Sequence, residues 1–194
     1  VSSSGSDYYN CGWDIVPCIN INDAFNYRNT LTDIIHAPGE TTSLTKTIDI
    51  TTTKLNLYSS SGDKPTITVD AYSFQGSIFK ASTGSLTLSA LKFSITTNFY
   101  TSSSFVLISE TGSFTMTNAD LTSSTTTKRS FSNFLFNFHN PGFSISGCSI
   151  SYFTSTYPLF RTEFLSGSPS YNFAETTISN IARSSIHGSV FDFS

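Results

Sequence analysis

Charge is scarce in this 194-residue chain: Asp, Glu, Lys and Arg make up 12% of it, about half the share of an average soluble domain. The 13 acidic and 10 basic residues leave a net charge of −3, without the basic excess that a nucleic-acid-binding surface carries. No apolar run approaches the roughly 18 residues of a membrane span; Phe105-Val106-Leu107-Ile108 is about the longest. Cysteine is too sparse, with only three in the chain, for a disulfide scaffold. The three histidines (His36, His139, His187) are scattered, so neither a zinc site nor any other cofactor is expected. No Asn-x-Ser/Thr acceptor occurs, which argues against N-glycosylation. The start at Val1 has no Met and no charged-then-apolar leader, so a trimmed or excised chain is expected.

What the chain has in excess is hydroxyl and phenyl. Ser and Thr together make up a third of it, and Phe occurs 18 times against one Trp and one Met. An aromatic share of 14% with low charge is the opposite of a disordered composition, and it is enough for one packed core. Residues 1–18 read as loop, and Cys11 and Cys18 there are candidates for a short-range disulfide, which would suit an oxidising compartment. A helix is predicted next: Asn20 as N-cap, Asp23 in the first turn, then Ile21, Ala24, Phe25, Arg28 and Leu31 on one stripe. The division expected is 1–33 for the N-terminal loop and helix, and 34–194 for the remainder. Beyond Ile34 the texture is short alternating segments of Thr, Ile, Phe and Ser broken at Gly, Pro and Asn, which is strand chemistry.

Those segments repeat. Gly84-Ser-Leu-Thr-Leu-Ser-Ala-Leu-Lys-Phe93 recurs from Gly112, from Pro141 and more loosely from Pro169, an almost constant spacing. Four ladders result: Leu86/Phe114/Phe143/Tyr171, Leu88/Met116/Ile145/Phe173, Leu91/Ala119/Cys148/Thr176 and Phe93/Leu121/Ile150/Ile178. Leu55 and Leu57 form an earlier copy. Between the second and third ladders sit Ala90, Asn118, Gly147 and Glu175, where Asn and Gly point to a left-handed bend. A second strand per turn appears as Ser77-Ile-Phe, Phe105-Val-Leu, Phe134-Leu-Phe, Pro158-Leu-Phe and Ser189-Val-Phe. A unit of this length cannot bury its apolar face alone and must stack on its neighbours, which predicts an all-β, parallel solenoid of about five to six coils.

The stretches Val1-Ser-Ser-Ser-Gly-Ser-Asp, Pro17-Cys-Ile-Asn-Ile-Asn-Asp-Ala-Phe and Ile35-His-Ala-Pro-Gly-Glu-Thr resemble the N-terminal entry of right-handed parallel β-helix proteins of the pectin-lyase-like superfamily. Gly76-Ser-Ile-Phe, followed by the segment from Gly84, is similar to the coils of its surface-exposed, adhesin-like members. The resemblance implies that the helix caps the first coil. The Gly-Gly-Ala repeat of polymorphic outer-membrane-type adhesins is absent, and so are Asn-Thr-Asp, Asp-Asp, Gly-His-Gly and Arg-x-Lys of the superfamily's enzymes.

Glycoside cleavage needs two carboxylates across the bond. The outward positions beside the ladders are Thr87, Thr115, Ser144 and Asn172; Ser89, Thr117, Ser146 and Ala174; Lys92, Asp120, Ser149 and Thr177. They hold a single carboxylate, expected to pair with Lys92, so no enzymatic activity is expected from this face. Asp63, Asp70 and Glu40 read as turn residues unless folding gathers them for calcium. His139, His187, Asp7 and Asp14 read as turn residues, Cys148 as a buried inert thiol, and Tyr8, Tyr9 and Trp13 as packing over the cap. The function expected is a non-enzymatic, extracellular structural or adhesive β-helix; the alternative is a polysaccharide-binding or polysaccharide-cleaving one. A final coil that opens at Gly188 with Val190, Phe191 and Phe193 points to self-association or to a longer chain, with Ile21, Ala24 and Phe25 as the facing candidates.

Overall fold

A computed structural model describes residues 1–6, 11, 17–27, 33–37, 39–51, 53–123, 126–139, 142–163, 170–183 and 190–193. One helix, α1 (Ile21–Tyr27), precedes six coils of strands. The first coil holds β1 (Asp33–His36), β2 (Thr41–Leu44) and β3 (Ile48–Ile50), and the second β4 (Lys54–Ser59), β5 (Thr66–Val69) and β6 (Phe79–Ala81). The third holds β7 (Ser85–Ser89), β8 (Lys92–Ile95) and β9 (Val106–Ile108). The fourth has β10 (Ser113–Thr117), β11 (Asp120–Ser123), β12 (Arg129–Phe131) and β13 (Phe136–His139). The fifth has β14 (Phe143–Ser146), β15 (Ser149–Ser151), β16 (Phe153–Ser155) and β17 (Phe160–Glu163). The sixth has β18 (Tyr171–Ala174), β19 (Thr177–Ser179), β20 (Ala182–Arg183) and β21 (Phe191–Phe193).

Each coil lays its strands parallel on the previous coil, giving three six-stranded sheets and a three-stranded one, so the chain is a parallel β-solenoid. The first sheet is β1-β4-β7-β10-β14-β18, the second β2-β5-β8-β11-β15-β19, the third β3-β6-β9-β13-β17-β21 and the small one β12-β16-β20. The register matches the repeat read from sequence: Leu55, Leu86, Phe114, Phe143 and Tyr171 are successive Cα partners, as are Ile67, Phe93, Leu121, Ile150 and Ile178. The third sheet aligns Ile48, Phe79, Val106, Phe136, Phe160 and Phe191. The small sheet is not legible in the repeat. Its register sets Arg129 opposite Phe153 and Phe131 opposite Ser155, the Phe131 ring touches those of Phe99 and Phe153, and its strands are only two or three residues long.

Two local devices hold the coils in register. At the corner between the first and second sheets, Ala90, Asn118, Gly147 and Glu175 all have φ between 48° and 62°. One left-handed residue turns the chain there, so the side-chain period changes from two to three without a loop. Gly84 opens β7 so close to the coil below that a Cβ would lie 2.3 Å from the carbonyl oxygen of Thr53. Inside the column, Phe79, Phe93 and Phe105 meet edge-to-face with centroids 5.1–5.8 Å apart, and Phe136 stacks on Phe160 at 4.7 Å. That geometry adds to the area these rings bury.

The N-terminal end is closed by α1. Asn20 accepts the Asp23 N–H at 2.9 Å and donates its own amide to the Asp23 carboxylate at 2.6 Å, a reciprocal cap. Asn22, on the inner side, accepts from the Thr45 and Lys46 N–H groups and donates to the Lys46 carbonyl, which pins the helix to the turn between β2 and β3. Ile21 and Ala24 are buried and Phe25 packs partly against the core. The helix ends as described at Tyr27; Arg28 and Leu31 of the predicted stripe lie outside the described residues. Cys11 and Cys18 form a disulfide, and both are buried. The Ser2 N–H donates to the Cys18 carbonyl, and the Ser2 hydroxyl and Ser3 N–H both donate to Glu40, which holds the Glu40 pKa below the usual carboxylate value.

His36 is fully buried in the first coil, with Nε2 2.6 Å from Thr42 Oγ1 and Nδ1 2.9 Å from the Ala37 carbonyl. Burial lowers its pKa from the ordinary 6.5; the Ala37 carbonyl opposes this, the Val1 ammonium adds to it and Glu40 opposes it. The unfolded chain therefore binds a proton at His36 more readily than the fold does. Stability should fall as pH drops below about 6.5, and thermal melts of a His36→Gln variant should show a flatter profile between neutral pH and about pH 5. A second expectation concerns the core: Phe93→Ala should cost about 3–5 kcal/mol in urea unfolding, and Phe173→Ala in the half-buried last coil clearly less.

Candidate functional site

The outward positions of the first two sheets bear hydroxyls, as their sequence indicates. Thr87, Thr115, Ser144 and Asn172 are in register, and Asn172 donates to Ser144 Oγ at 3.1 Å. On the second sheet one column is Ser43, Thr68, Ser94, Thr122, Ser151 and Ser179, hydroxyl in every coil. Several of these hydroxyls are engaged locally, Thr68 with the Thr42 carbonyl and Ser151 with Thr122 Oγ1. Asp120 neighbours Lys92 in register, yet its carboxylate pairs instead with Lys64 Nζ at 2.9 Å, because Lys64 reaches it from the loop before β5. The expected Lys92–Asp120 pair is thereby replaced.

The third sheet is different. Its outer face carries Asp49, Lys80, Leu107, Asn137, Arg161 and Asp192 as one column of Cα partners. Two positions further along the chain, His139 and Glu163 are partners in a second column. His139 Nδ1 lies 2.6 Å from Glu163 Oε2, and Arg161 Nη2 holds the other carboxylate oxygen. The Arg161 guanidinium also lies over the Phe134 ring, 5.0 Å from its centroid, and Phe134 contacts the exposed Tyr157. Asn137 is only 8% exposed, and its Oδ1 and the neighbouring Arg161 Nε are buried without a hydrogen-bond partner among the described residues. A gap of that kind is ordinarily filled by water or by a polar atom of a ligand.

His139, expected in a turn, is in fact the last residue of β13, because the Phe136/Phe138 alternation continues through it and turns its ring outward. The first-sheet repeat does not lead to this cluster, since the outward positions it defines flank only the strands of the first two sheets. The second-strand ladder is nevertheless visible in the sequence, and the residues that follow its Phe positions include Lys80, Asn137, Arg161 and Asp192.

Other candidates are dispersed. Glu40 binds Ser2 and Ser3, Asp70 accepts from Thr97 Oγ1 at 2.5 Å, and Asp63 sits in a turn with Ser59 and Ser61. Among the described residues no group of three His, Cys, Asp or Glu side chains is placed to hold a metal ion. Cys148 is buried, burial raises its pKa, and its thiol donates to the Ser146 carbonyl at 3.2 Å. Asp7, Tyr8, Tyr9, Trp13, Asp14 and His187 lie outside the described residues.

At the other end, Val190 and Phe191 are half-buried against the core, and Phe191 stacks on Phe160 at 4.9 Å. Phe193 lies in β21 by its backbone, and its side chain lies outside the described residues. A cavity of about 320 Å³ opens there, lined by Leu159, Ile178, Asn180, Ile181, Arg183 and Val190. Among the described residues no helix is long and apolar enough to cross a membrane. Comparison of the chain with protein-family models, curated proteins and solved structures returns no match.

Because Glu163 and His139 are both about a quarter exposed, their pair should contribute little to folding. Glu163→Gln should leave the unfolding free energy within about 1 kcal/mol of the parent, as measured by urea titration with circular dichroism.

Proposed function

We propose that this chain is an extracellular structural or adhesive β-helix, akin to the surface-exposed members of the pectin-lyase-like superfamily, and that its sixth coil is covered by a second copy or by the continuation of a longer chain. The observation that carries the reading is the contrast along the column. Ladder residues such as Leu86, Phe93, Phe114 and Phe160 are at most 1% exposed, whereas Tyr171, Phe173, Ile178, Ile181 and Phe191 in the sixth coil are only partly buried. An apolar rung with open strand edges gains from stacking another coil on it. At the end bearing α1, Ile21 and Ala24 are buried, so the apolar surface offered to a copy arriving head to tail comes from Phe25 and the exposed Ile19. The Cys11–Cys18 disulfide supports an oxidising, extracellular location.

A polysaccharide-binding reading has its own support. Tyr72, Tyr100 and Tyr157 are 62%, 40% and 48% exposed on the excursions that lead into the third sheet, and Tyr72 contacts Tyr100 at 5.9 Å. Exposed rings of this kind suit the apolar faces of sugars.

Sedimentation velocity across micromolar concentrations tests the first reading. Association that rises with concentration and disappears in Phe173→Lys is expected; a monomer at every concentration overturns self-stacking. Filaments in negative-stain images would mark head-to-tail growth, and discrete dimers a tail-to-tail contact. Retention of the chain on a polysaccharide column, lost in a Tyr72→Ala/Tyr100→Ala variant, would favour the second reading.

A further inference from the structure

We infer that Tyr72 and Tyr100 are a modification site, a pair placed to be joined by one-electron oxidation into a dityrosine that staples the second coil to the third. The oxidant is hydrogen peroxide acting through a haem peroxidase, and its presence around the protein is the one part that rests on the extracellular reading above. Neither self-association nor a bound polysaccharide is needed. The inference starts from the excursions that leave the second sheet. Residues 70–78 run from β5 to β6 in the second coil, and 96–105 run from β8 to β9 in the third. β5 pairs with β8 and β6 with β9, so one excursion lies on the other. Tyr72 stands in a single helical turn, Ala71–Ser73, and Tyr100 stands near the middle of the longer excursion. Their rings are both exposed and meet edge-to-face, with centroids 5.9 Å apart and planes at 68°.

Cross-coil hydrogen bonds bracket this contact. On one side, Thr97 Oγ1 accepts the Tyr72 N–H at 2.9 Å and donates to Asp70 Oδ1 at 2.5 Å. On the other, the buried Ser103 hydroxyl donates to the Phe74 carbonyl at 2.6 Å. The Ser103 N–H donates to the Tyr100 carbonyl at 2.9 Å, which closes a turn just after the ring. Phe99, just before it, is buried against Phe131, and its N–H donates to the Ser130 carbonyl at 2.9 Å. The backbone beneath each phenol is therefore fixed by bonds to a neighbouring coil, while the phenol itself stands in solvent. Tyr157 is the comparison: it is exposed too, but its ring contacts Phe134, which has no phenol to oxidise.

Each phenol gives an electron to the oxidant and its O–H proton to water. The phenoxyl radical left behind spreads its unpaired spin over the oxygen and the two ring carbons ortho to it. Two such radicals join through one ortho carbon of each, forming a C–C bond. Each of those carbons then loses its hydrogen as a proton while the oxygen regains one, which restores both phenols. The pair has lost two electrons and two protons, and one hydrogen peroxide takes them up to give two waters. Rotation of the exposed side chains about Cα–Cβ closes the distance that remains between the rings. Because the fold already holds them as neighbours, coupling within a chain outruns coupling between chains. The product ties two coils at the corner where the excursions are longest, and it constrains the unfolded chain as any cross-link does.

The test treats the full 194-residue chain with a haem peroxidase and hydrogen peroxide, read by dityrosine fluorescence and tandem mass spectrometry of its peptides. A link between Tyr72 and Tyr100, lighter by two hydrogen atoms, is expected, with a yield unchanged over about tenfold dilution. It should be lost in Tyr72→Phe and in Tyr100→Phe, and retained in Tyr157→Phe. Thr97→Val, which removes the bracket on one side, should lower the yield about fivefold or more. The coupled chain should melt at a higher temperature than a Tyr100→Phe chain treated alike. Absence of the Tyr72–Tyr100 link, or links that join only separate chains and vanish on dilution, overturns the inference; equal melts overturn the stapling role. Circular dichroism melts of the untreated variants separate loss of fold from loss of coupling. Self-stacking is read separately by sedimentation, so failure of one reading is distinguishable from failure of the other.

Discussion

A single coil of this chain has no core until another coil lies on it: its strands are two to six residues long, and each faces only half of a hydrophobic interior. Parallel backbone hydrogen bonds between coils satisfy the polar groups, and the same contact brings like side chains into register. Leu stacks on Leu and Phe on Phe because the register places them there. The ladder is both the hydrogen-bond solution and the packing solution.

The corners make that register possible. A single left-handed residue at Ala90, Asn118, Gly147 and Glu175 turns the chain in the same sense in four successive coils. Asn and Gly adopt that conformation readily; Ala and Glu do so at a cost of about 1–2 kcal/mol each, which stacking on neighbouring coils offsets. The longest excursions lie at the corner between the second and third sheets. There the coils differ in length, and there the small sheet and the touching rings of Phe99, Phe131 and Phe153 lie.

This variation has a chemical consequence. Where the repeat is strict, the outer positions hold mostly Ser and Thr, which suit an exposed strand and make few demands on their neighbours. Where it is loose, the third sheet gathers Lys80, Asn137, Arg161, His139, Glu163 and Asp192 from coils separated by unequal spacings. Charged and titratable side chains are few in this chain, and their convergence on one face arises from coil stacking rather than from any local motif. The N-terminal end shows the complementary case: Asn20, Asn22 and Asp23 form a compact cap whose partners lie within a few residues or on the adjacent turn.

The fold is legible in the sequence because it is written as a period. Leu86, Phe114, Phe143 and Tyr171 recur at nearly fixed offsets, and a hydrophobic ladder of that kind is satisfied by stacking coils. The cap helix is legible in Asn20 and Asp23, since capping is local. The third-sheet cluster is not, for a physical reason. Phe160 follows Phe136 at a shorter interval along the chain than Phe136 follows Val106, so the offset that aligns the first sheet misaligns the third. His139 reads as a turn residue beside Asn140-Pro141-Gly142, and only pairing with β17 extends its strand and turns the imidazole toward Glu163. Periodicity alone therefore dictates the solenoid, the membership of the first-sheet ladders and the hydroxyl surface beside them. Which polar residues meet is settled by stacking, because partners one coil apart are set by the register and not by their distance along the chain.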